Sequence, residues 1–372
     1  MMARLARWLE ADDARSPLLE ALASVWGKAS FSRVRRPLSI PRGVRVIGVG
    51  GATLGGSCKT PLAMALARAL AERGERVAFV GHAYRARPGS ARIVGGADDV
   101  RDVGDEALLA ARTLAPFGVE VVVGTTRQEA VDLAWRRATC LVIDGLLQTR
   151  PEPLTRSLLS LDDRQPWGNQ RHPPAGDLRA PPNALLAATD AVILVRDAPG
   201  KFHPSGCSTP SGVPPLRVFR SGSQRLEAAP EGDDETPVRG GIDRAIAADG
   251  SETPLSDLRG STFGLLLAIA RPDRVARALA RRGLYPAARI ELPDHAVASA
   301  ARLERAAAKE QRVKVWLTTA KCAIKLPSDV AGSPVLVLDH RVDLPKALVD
   351  WALSKAPLPE AFCPSSFGQK PW

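Results

Sequence analysis

Residues 44–61 read VRVIGVGGATLGGSCKTP, and this stretch decides how the chain folds. It begins as a β-rich strand over residues 44–49, passes through a glycine-rich turn and runs into a helical pattern that starts at Pro61. A strand, such a turn and a helix N-terminus form a cradle for phosphate, because bare backbone N–H groups and the positive helix end face the anion. Lys59 suits the β and γ phosphates of a nucleotide, and the Thr60 hydroxyl suits Mg²⁺.

The turn departs twice from the strict G-x-x-x-x-G-K-[ST] pattern. Thr53 stands at the first glycine position and Cys58 at the second, where a side chain restricts the backbone and crowds the phosphates. A glycine-rich turn that binds no nucleotide is therefore the alternative. The candidate nucleotide-binding residues are Thr53, Gly55, Gly56, Ser57, Cys58, Lys59 and Thr60.

Short β-rich runs alternate with helical segments on both sides of this turn. The runs cover residues 44–49, 77–80, 119–123, 141–143 and 191–195, with helical segments such as 61–72 and 106–114 between them. This alternation predicts an α/β fold of the P-loop NTPase type, in which helices flank a parallel sheet. Further strands near residues 263–268, 313–318 and 335–338 predict a smaller C-terminal α/β part.

The N-terminal residues form an amphipathic pattern. Five apolar side chains recur at helical spacing, namely Leu18, Leu19, Leu22, Val25 and Trp26. Basic residues follow at Lys28, Arg33, Arg35 and Arg36. An apolar stripe with a basic flank is typical of a helix that lies on a membrane surface. The alternative is a helix that packs on the rest of the protein.

Composition narrows the range of partners. The chain has 51 Lys and Arg against 40 Asp and Glu, a net charge of +11 that suits a nucleic acid, an anionic membrane or a phosphorylated substrate. Aromatic residues are only 5%, and no Lys/Arg run is interleaved with Phe or Tyr, so a base-stacking surface is not indicated and we expect no nucleic-acid partner. The five cysteines form no CxxC pair, which predicts neither a zinc site nor a disulfide framework and fits a reducing cytoplasm.

No run approaches the length of a membrane span of about 18 apolar residues, so we expect the chain not to cross the bilayer. Nothing in the sequence indicates an obligate protein partner.

Seven motifs in order give the chain a resemblance to the tetraacyldisaccharide 4'-kinase family. VGGATLGGSCKTP resembles the family's VGNLTVGGTGKTP, and the other matches follow it along the chain. In the first half of the chain, VGDE at 103–106 resembles the family's VGDEP, the segment around Arg127 resembles its VGxxR, and Asp144-Gly145 resembles its DDGFQH. PWGN at 166–169 with PAGDLR at 174–179 then resembles PFGNGxxxPAGPLRE. Finally, PDH at 293–295 matches the family's PDH, and LTTAKCAIK at 317–325 resembles its LTTEKDAVK.

The resemblance implies ATP- and Mg²⁺-dependent phosphorylation of the 4'-hydroxyl of tetraacyldisaccharide 1-phosphate, a lipid A precursor. It implies a peripheral enzyme on the cytoplasmic face of the bacterial inner membrane. The implied catalytic residues are Asp105 as general base, His295 paired with it, and Lys59. Thr60, Glu106 and Asp144 are the implied metal ligands, and Arg171, Arg179 and Asn169 are the implied substrate contacts.

Several departures fall at these motifs. Besides Cys58, Ile143 replaces the first acid of DDG, and Ala320 and Cys322 replace the acids of LTTEKDAVK. Asp105 and Glu106 also have a structural interpretation, since they suit the first turn of the helix that follows. Two alternatives stay open: a degenerate relative that binds nucleotide or lipid with little turnover, and an unrelated P-loop ATPase switch.

We therefore expect five regions along the chain. These are an N-terminal amphipathic, membrane-associated helix over 1–40, a P-loop kinase core over 41–200, a connecting segment or small β subdomain over 201–260 with a strand pair near 216–226, a C-terminal α/β part over 261–356 and a tail over 357–372.

Overall fold

The structure is a computed structural model that describes residues 17–34, 37–83, 86–147, 149–162, 165–195, 217–219, 239–269, 272–293, 299–310 and 312–355. Its helices are, in chain order, α1 (Pro17–Arg33), α2 (Lys59–Glu72), α3 (Val100–Val103), α4 (Asp105–Leu114), α5 (Arg127–Ala134), α6 (Pro182–Ala187), α7 (Pro272–Ala280), α8 (Ala300–Ala307), α9 (Ala320–Ala323) and α10 (Lys346–Leu353).

The strands are, in chain order, β1 (Pro37–Leu38), β2 (Arg45–Gly51), β3 (Val77–Val80), β4 (Arg92–Ile93), β5 (Glu120–Val123), β6 (Cys140–Asp144), β7 (Arg150–Pro151), β8 (Arg156–Asp162), β9 (Ala191–Val195), β10 (Arg217–Phe219), β11 (Arg239–Ile246), β12 (Glu252–Pro254), β13 (Phe263–Leu267), β14 (Ala288–Glu291), β15 (Val315–Thr319), β16 (Asp329–Val330) and β17 (Ser333–Asp343). Two 3₁₀ turns cover Ala115–Phe117 and Leu255–Leu258.

The larger sheet has eight of the described strands in the order β10-β9-β8-β2-β6-β3-β5-β4. Neighbours are parallel except at one edge, where β4 is antiparallel to β5. β3, β6 and β9 are buried along their whole length, as expected where helices cover both faces of a parallel sheet. α2 and α4 pack on one face and α5 on the other. The predicted α/β fold is confirmed.

β2 lies in the middle of this sheet, between β6 and β8. Because the three strands are parallel, Gly51, Asp144 and Asp162 end them at the same edge of the sheet. In open α/β sheets, ligands bind in the crevice outside the carboxyl ends of the strands. The topology therefore brings the glycine-rich turn after β2 together with the residues that end its two neighbours.

The smaller sheet runs in the order β12-β11-β17-β15-β13-β14, with β16 beside β17. β17, β15, β13 and β14 are parallel to one another, whereas β11, β12 and β16 are antiparallel additions. β11 and β12 come from the region predicted as a connecting segment, and β10 from the same region pairs with β9. Residues 220–238 and the tail over 357–372 lie outside the described residues, and the division into regions stays a prediction.

The chain returns to the larger sheet at α10. Leu348, Val349 and Ala352 are buried in the same core as α2 and α4. The Arg156 guanidinium lies 4.3 Å from the centre of the Trp351 ring. The last described helix thus anchors the smaller sheet to the larger one.

α1 has two different faces. Ala23, Gly27 and Ser30 are buried against the protein, and a Cβ added at Gly27 would lie 2.6 Å from the Cδ2 of His172. The opposite side, which we call the apolar face of α1, exposes Leu18 (68%), Leu22 (48%), Val25 (65%) and Trp26 (40%). Among the described helices, each is too short or too polar to span a membrane. Arg35 and Arg36, part of the predicted basic flank, lie outside the described residues.

Candidate active site

Residues 50–60, from the end of β2 to the start of α2, form a turn that closes on itself, which we call the phosphate loop. A Cβ added at Gly51 would lie only 2.1 Å from the Ser57 Oγ, so glycine lets the two arms of the loop approach. The Ser57 Oγ is buried, and within the described residues it has no hydrogen-bond partner. Buried polar atoms rarely lack a hydrogen-bond partner, so the loop is suited to a polar ligand that would supply one.

The first half of the phosphate loop is held by residues 177–179. Thr53 forms an isolated antiparallel bridge with Leu178, and the Arg179 N–H donates to the Ala52 carbonyl at 2.8 Å. Thr53 is buried, and its hydroxyl donates to the Gly55 carbonyl at 2.7 Å. The residue that departs from the glycine pattern here therefore stabilises the turn.

Cys58 occupies the N-cap position of α2 in a left-handed conformation, with φ 55° and ψ 18°. Gly56 is left-handed as well, with φ 75°. Cys58 makes no side-chain cap to α2, and its side chain packs beside the core of the larger sheet. The backbone thus takes the shape that glycine favours, with a cysteine in its place.

Thr60 and Asp144 meet at the start of α2. The Thr60 hydroxyl donates to Oδ2 of Asp144 at 2.6 Å, and both residues are buried. The other oxygen of Asp144, Oδ1, is buried with no hydrogen-bond partner in the described part of the chain. Burial raises the pKa of Asp144 above its ordinary value, although Lys59, Thr60 and Arg127 act against this.

Lys59 and Glu106 belong to the same cluster of charges. Burial by itself raises the pKa of Glu106, but the charges of Lys321 and Lys59 outweigh it and lower the pKa below its usual value. Glu106 also contributes to the raised pKa of Asp144, so the two carboxylates influence each other. The structure therefore brings together Thr60, Glu106 and Asp144, which were predicted as metal ligands. Within the described residues, no group of three or more acidic, His or Cys side chains is placed to hold a metal ion.

Asp105 begins α4 and forms a buried ion pair with Lys325. The Lys325 Nζ lies 2.8 Å from the Asp105 Oδ2, and both side chains are 3% exposed. The partner predicted for Asp105 was His295, which lies outside the described residues. Asp105 and Glu106 are also in the first turn of α4, so the structural interpretation of both residues holds beside their ion pairs.

The predicted substrate contacts lie on the segment 165–179, next to the phosphate loop. The side-chain amide of Asn169 donates to the Ala175 carbonyl at 3.3 Å and accepts from the Arg171 N–H at 3.1 Å, so it organises its own segment. Arg171 pairs with Glu20 of α1 at 3.4 Å. Arg179 lies beside the phosphate loop through its backbone contact. The structure gives these three residues structural contacts, and their contact with substrate stays a prediction.

Two departures from the family motifs fall in apolar surroundings. Ile143 is fully buried in the core under α5, so its side chain contributes packing. Cys322 is also fully buried, and its Sγ accepts hydrogen bonds from the Ala268 N–H and the Thr319 hydroxyl, both at 3.1 Å. At this position the sulfur takes over acceptor contacts that a carboxylate can make, although it is a weaker acceptor.

A cavity of about 460 Å³ opens at the same edge of the larger sheet, beyond the ends of β3 and β5. Its lining includes His82, Arg87 and Arg127. Arg127 also donates to the backbone carbonyl of Asp144 at 2.7 Å, which connects the cavity to the phosphate loop. The cavity thus lies beside the candidate metal ligands and has basic walls.

Three basic residues at this site were not singled out from the sequence. Lys321 pairs with Glu106 at 3.3 Å, Lys325 pairs with Asp105, and Arg274 of α7 donates to the Gly56 carbonyl in the phosphate loop. The lysines lie in a segment whose likeness to LTTEKDAVK was noted, and that motif was the available signal for them. No comparable signal marked Arg274.

Comparison with known proteins gives the same family throughout. A family model described as tetraacyldisaccharide-1-P 4'-kinase matches residues 15–356. The tetraacyldisaccharide 4'-kinase of Methylobacterium sp. (strain 4-46) is 33% identical over 355 residues, which cover 94% of this chain and 95% of that protein. The enzyme of the same name from Paramagnetospirillum magneticum is 30% identical over 336 residues, covering 89% and 92% of the two chains.

A solved structure also resembles this chain. It is the crystal structure of LpxK from Aquifex aeolicus in complex with ATP, which matches with a TM-score of 0.58 and 20% identity over 90% of this chain and 96% of that one. At this level of identity the likeness shows the fold.

Proposed function

This chain belongs to the tetraacyldisaccharide-1-P 4'-kinase family, and we propose that it transfers the γ-phosphoryl group of ATP to the 4'-hydroxyl of a tetraacyldisaccharide 1-phosphate. The observation that carries the proposal is the closed phosphate loop, with Lys59 and the Thr60–Asp144 hydrogen bond at its helix end. Two buried polar atoms without protein partners among the described residues, Ser57 Oγ and Asp144 Oδ1, lie on that loop and beside it. A bound nucleotide and its metal would be able to supply partners for both atoms.

Mg²⁺ fits the oxygen donors at this position. Thr60 and Asp144 would hold the ion, with Glu106 close enough to sense the charge of Asp144. Hard divalent cations prefer such oxygen ligands. When bound, the ion neutralises charge on the β and γ phosphates during transfer.

Asp105 is the proposed general base. It accepts the proton of the sugar hydroxyl as that oxygen bonds to the γ phosphorus, while the bond from the γ phosphorus to the bridging oxygen breaks and ADP leaves. The Lys325 ammonium at 2.8 Å stabilises the charged carboxylate before the reaction. His295 is proposed as a second partner of Asp105 on the strength of the PDH motif alone.

The basic cavity is the proposed site of the acceptor headgroup. His82, Arg87 and Arg127 offer charge and hydrogen bonds to a phosphorylated sugar. The apolar face of α1 would rest in the membrane interface, where acyl chains are accessible. Arg171, through its pair with Glu20, connects that helix to the segment beside the phosphate loop.

One assay tests the proposal. The full-length protein is incubated with γ-labelled ATP, Mg²⁺ and tetraacyldisaccharide 1-phosphate in detergent, and the lipid is extracted and examined for label. We expect labelled lipid from the wild type and none from Lys59→Met. Nucleotide binding without labelled lipid would favour a degenerate relative, and ATP hydrolysis that ignores the lipid would favour an ATPase switch.

A further inference from the structure

Two consecutive peptides of the phosphate loop are held through their carbonyl groups. Arg274 donates from Nη1 to the Gly56 carbonyl, and the Ser160 hydroxyl donates to the Ser57 carbonyl. Ser160 is fully buried on β8, whereas Arg274 comes from α7, which packs on the smaller sheet. The two donors thus reach the loop from different parts of the molecule.

Because the carbonyl and the N–H of one peptide share a rigid plane, a contact that fixes the carbonyl also fixes the direction of the N–H. Both peptides are trans, so each carbonyl points opposite to the N–H of the residue that follows. The Ser57 N–H therefore points away from Arg274, and the Cys58 N–H points away from Ser160. Within the described residues, no acceptor bonds the Ser57 N–H. A phosphate cradle needs N–H groups presented in this way.

Arg274 is itself held in place. Its Nη2 lies 2.9 Å from Oδ2 of Asp162, the residue that ends β8, and the two side chains are 22% and 15% exposed. The guanidinium therefore joins the phosphate loop, the carboxyl end of β8 and α7. Val275 and Leu279 of the same helix are buried in the core of the smaller sheet, which gives Arg274 a rigid base.

We propose that Arg274 is a positioning residue that, together with Ser160, fixes the peptide planes of the phosphate loop and so presents its N–H groups to nucleotide phosphates. This inference rests on the proposed nucleotide-binding function of the loop. It makes nucleotide affinity depend on the smaller sheet, because Arg274 reaches the loop from there. The effect acts on the β phosphate as much as on the γ phosphate, since the whole loop loses its shape when the anchor is lost.

The first experiment measures the dissociation constants of ADP and ATP by calorimetry for the wild type, Arg274→Gln and Arg274→Lys. Arg277→Gln is the matched control, because Arg277 lies on the exposed side of the same helix and bonds only the nearby Asp273 carbonyl among the contacts described. We expect Arg274→Gln to weaken both nucleotides by about 10- to 100-fold, as for a lost charged hydrogen bond. Arg274→Lys should recover part of the loss, and Arg277→Gln should bind as the wild type does.

A second pair of variants tests the loop without touching a charge. Ser160→Ala removes the donor to the Ser57 carbonyl, whereas Ser157→Ala removes a buried hydroxyl of the same strand that has no partner in the described part of the chain. We expect Ser160→Ala to weaken ADP and ATP alike and Ser157→Ala to leave both unchanged. If Arg274→Gln does not fold, this pair still tests whether a contact to a loop carbonyl sets nucleotide affinity.

The kinase assay adds a readout that a general loss of structure does not produce. In Arg274→Gln the KM for ATP should rise while the KM for the lipid stays unchanged. Wild-type affinity for ADP in both Arg274→Gln and Ser160→Ala would overturn the proposal. A loss confined to ATP would overturn it too, since it would put the guanidinium on the γ phosphate. A wild type that binds neither nucleotide overturns the proposed function as well, and this separates the two failures.

Discussion

Cys58 adopts a left-handed backbone conformation, which costs energy for a residue with a Cβ but not for glycine. Its φ of 55° lies in the left-handed region, where a Cβ approaches the neighbouring carbonyl oxygen at a cost of roughly 1–2 kcal/mol. The conformation is held from both sides, because Arg274 and Ser160 bond the carbonyls of Gly56 and Ser57, and α2 begins directly after Cys58. In the proposed nucleotide complex, a Cβ at this position would add bulk where phosphate oxygens approach the backbone.

We expect Cys58→Gly to bind ATP and ADP more tightly than the wild type. The free energy of unfolding should change little, because relief of the left-handed strain is offset by lost packing and by the larger entropy of an unfolded glycine. Calorimetry with each nucleotide measures the affinity. Ala331→Gly is the control, because Ala331 has a φ of 53° on an exposed turn between β16 and β17.

The control Ala331→Gly should bind ATP and ADP as the wild type does. Bound ATP should also protect the Cys58 thiol from an alkylating reagent. Equal affinities in the wild type and Cys58→Gly, with alkylation indifferent to ATP, would mean that the thiol lies away from the phosphates.

Asp144 gives the stability of the protein a pH dependence of known sign. Its pKa is raised in the folded state by burial, so the folded protein keeps a proton that the unfolded chain releases. Stability due to this group is therefore present at low pH and falls as pH rises from the unfolded pKa, about 4, through the raised folded pKa. Asn at this position removes the titration and keeps an acceptor for Thr60.

We expect the difference in melting temperature, Asp144→Asn minus wild type, to grow as pH rises from about 4 to about 7 in the absence of divalent cations. The wild type loses the stabilisation due to protonated Asp144 over this range, and the variant has none to lose. Added Mg²⁺ should raise the melting temperature of the wild type and leave the variant unchanged. Asp132→Asn, at an exposed position on α5, is the control and should show no such trend. A constant difference across the pH series would contradict the assignment.

At the residue scale, the sequence identifies those candidate site residues that lie within a local motif. Lys59, Thr60 and Asp144 were singled out because each lies in a recognisable motif: the first two begin the helix after the glycine-rich turn, and Asp144 ends β6. Arg274 was missed because its contact with Gly56 spans two sheets that no local pattern relates. Lys325 was inside a recognised motif, but only the fold shows that it faces Asp105.

Most strands of the larger sheet were predicted from their apolar runs. Residues 77–80 and 191–195 were predicted with the observed bounds, and the other predicted strands of this sheet differ from the observed ones by a few residues at their ends. β8 was missed because its sequence, RSLLSLD, places serines at buried positions, where they weaken the apolar pattern. Ser160 is at such a position because its hydroxyl has a partner in the phosphate loop.

β11 and β17 show the same limit in the smaller sheet. β11, with the sequence RGGIDRAI, carries glycines and charges that are typical of loops, and it forms a strand because it pairs with β12 and β17. β17 was predicted over residues 335–338 and runs from Ser333 to Asp343. Its extension pairs with β11, a tertiary contact that local propensity does not encode.

Two lysines at and after α9 connect the smaller sheet to the start of α4, and their environments differ. The Lys325–Asp105 pair is 3% exposed on both sides, whereas Lys321 and Glu106 are 22% and 23% exposed. Breaking a buried pair leaves one charge uncompensated and costs about 3–5 kcal/mol, whereas a pair that water partly reaches costs less. The buried pair should therefore dominate the attachment between these elements.

We expect Lys325→Met to lower the free energy of unfolding by about 3–5 kcal/mol and Lys321→Met to lower it by a smaller amount. Denaturant titration followed by circular dichroism measures both, and the identical substitution makes each variant a control for the other. Equal losses would mean that water reaches the Asp105 carboxylate as readily as that of Glu106. The ranking does not depend on activity, so it tests the packing between α4 and the smaller sheet alone.

On the scale of the whole molecule, charge and the apolar face of α1 carry a prediction about how the protein would meet a membrane. A net charge of +11 would favour anionic lipid, and four large apolar side chains on one helix are exposed to water. The buried face of the same helix contacts the segment beside the phosphate loop through Gly27, and Glu20 pairs with that segment as well. Membrane contact at α1 would thus be adjacent to the segment beside the phosphate loop, where the proposed transfer takes place.

Point variants test this better than a deletion. A chain that starts near Arg42 lacks α1 and should lose vesicle binding, but it also loses the contacts of Gly27 with His172 and of Glu20 with Arg171. Serine at the four positions of the apolar face keeps those contacts. Full burial of one such side chain contributes about 1.5–3 kcal/mol, so even partial insertion of four of them amounts to a large part of the binding free energy.

We expect the fourfold serine variant to sediment with anionic vesicles at least about 100-fold more weakly than the wild type, and the residual binding to fall further as salt is added. The control replaces Ala21 and Ala29, exposed positions of the same helix with little apolar area, by serine and should bind as the wild type does. With vesicle-embedded lipid the KM for that substrate should rise in the fourfold variant, while the KM for ATP should not change because the phosphate loop is intact. Vesicle binding equal to that of the wild type would show that charge alone, or another surface, holds the protein at the membrane.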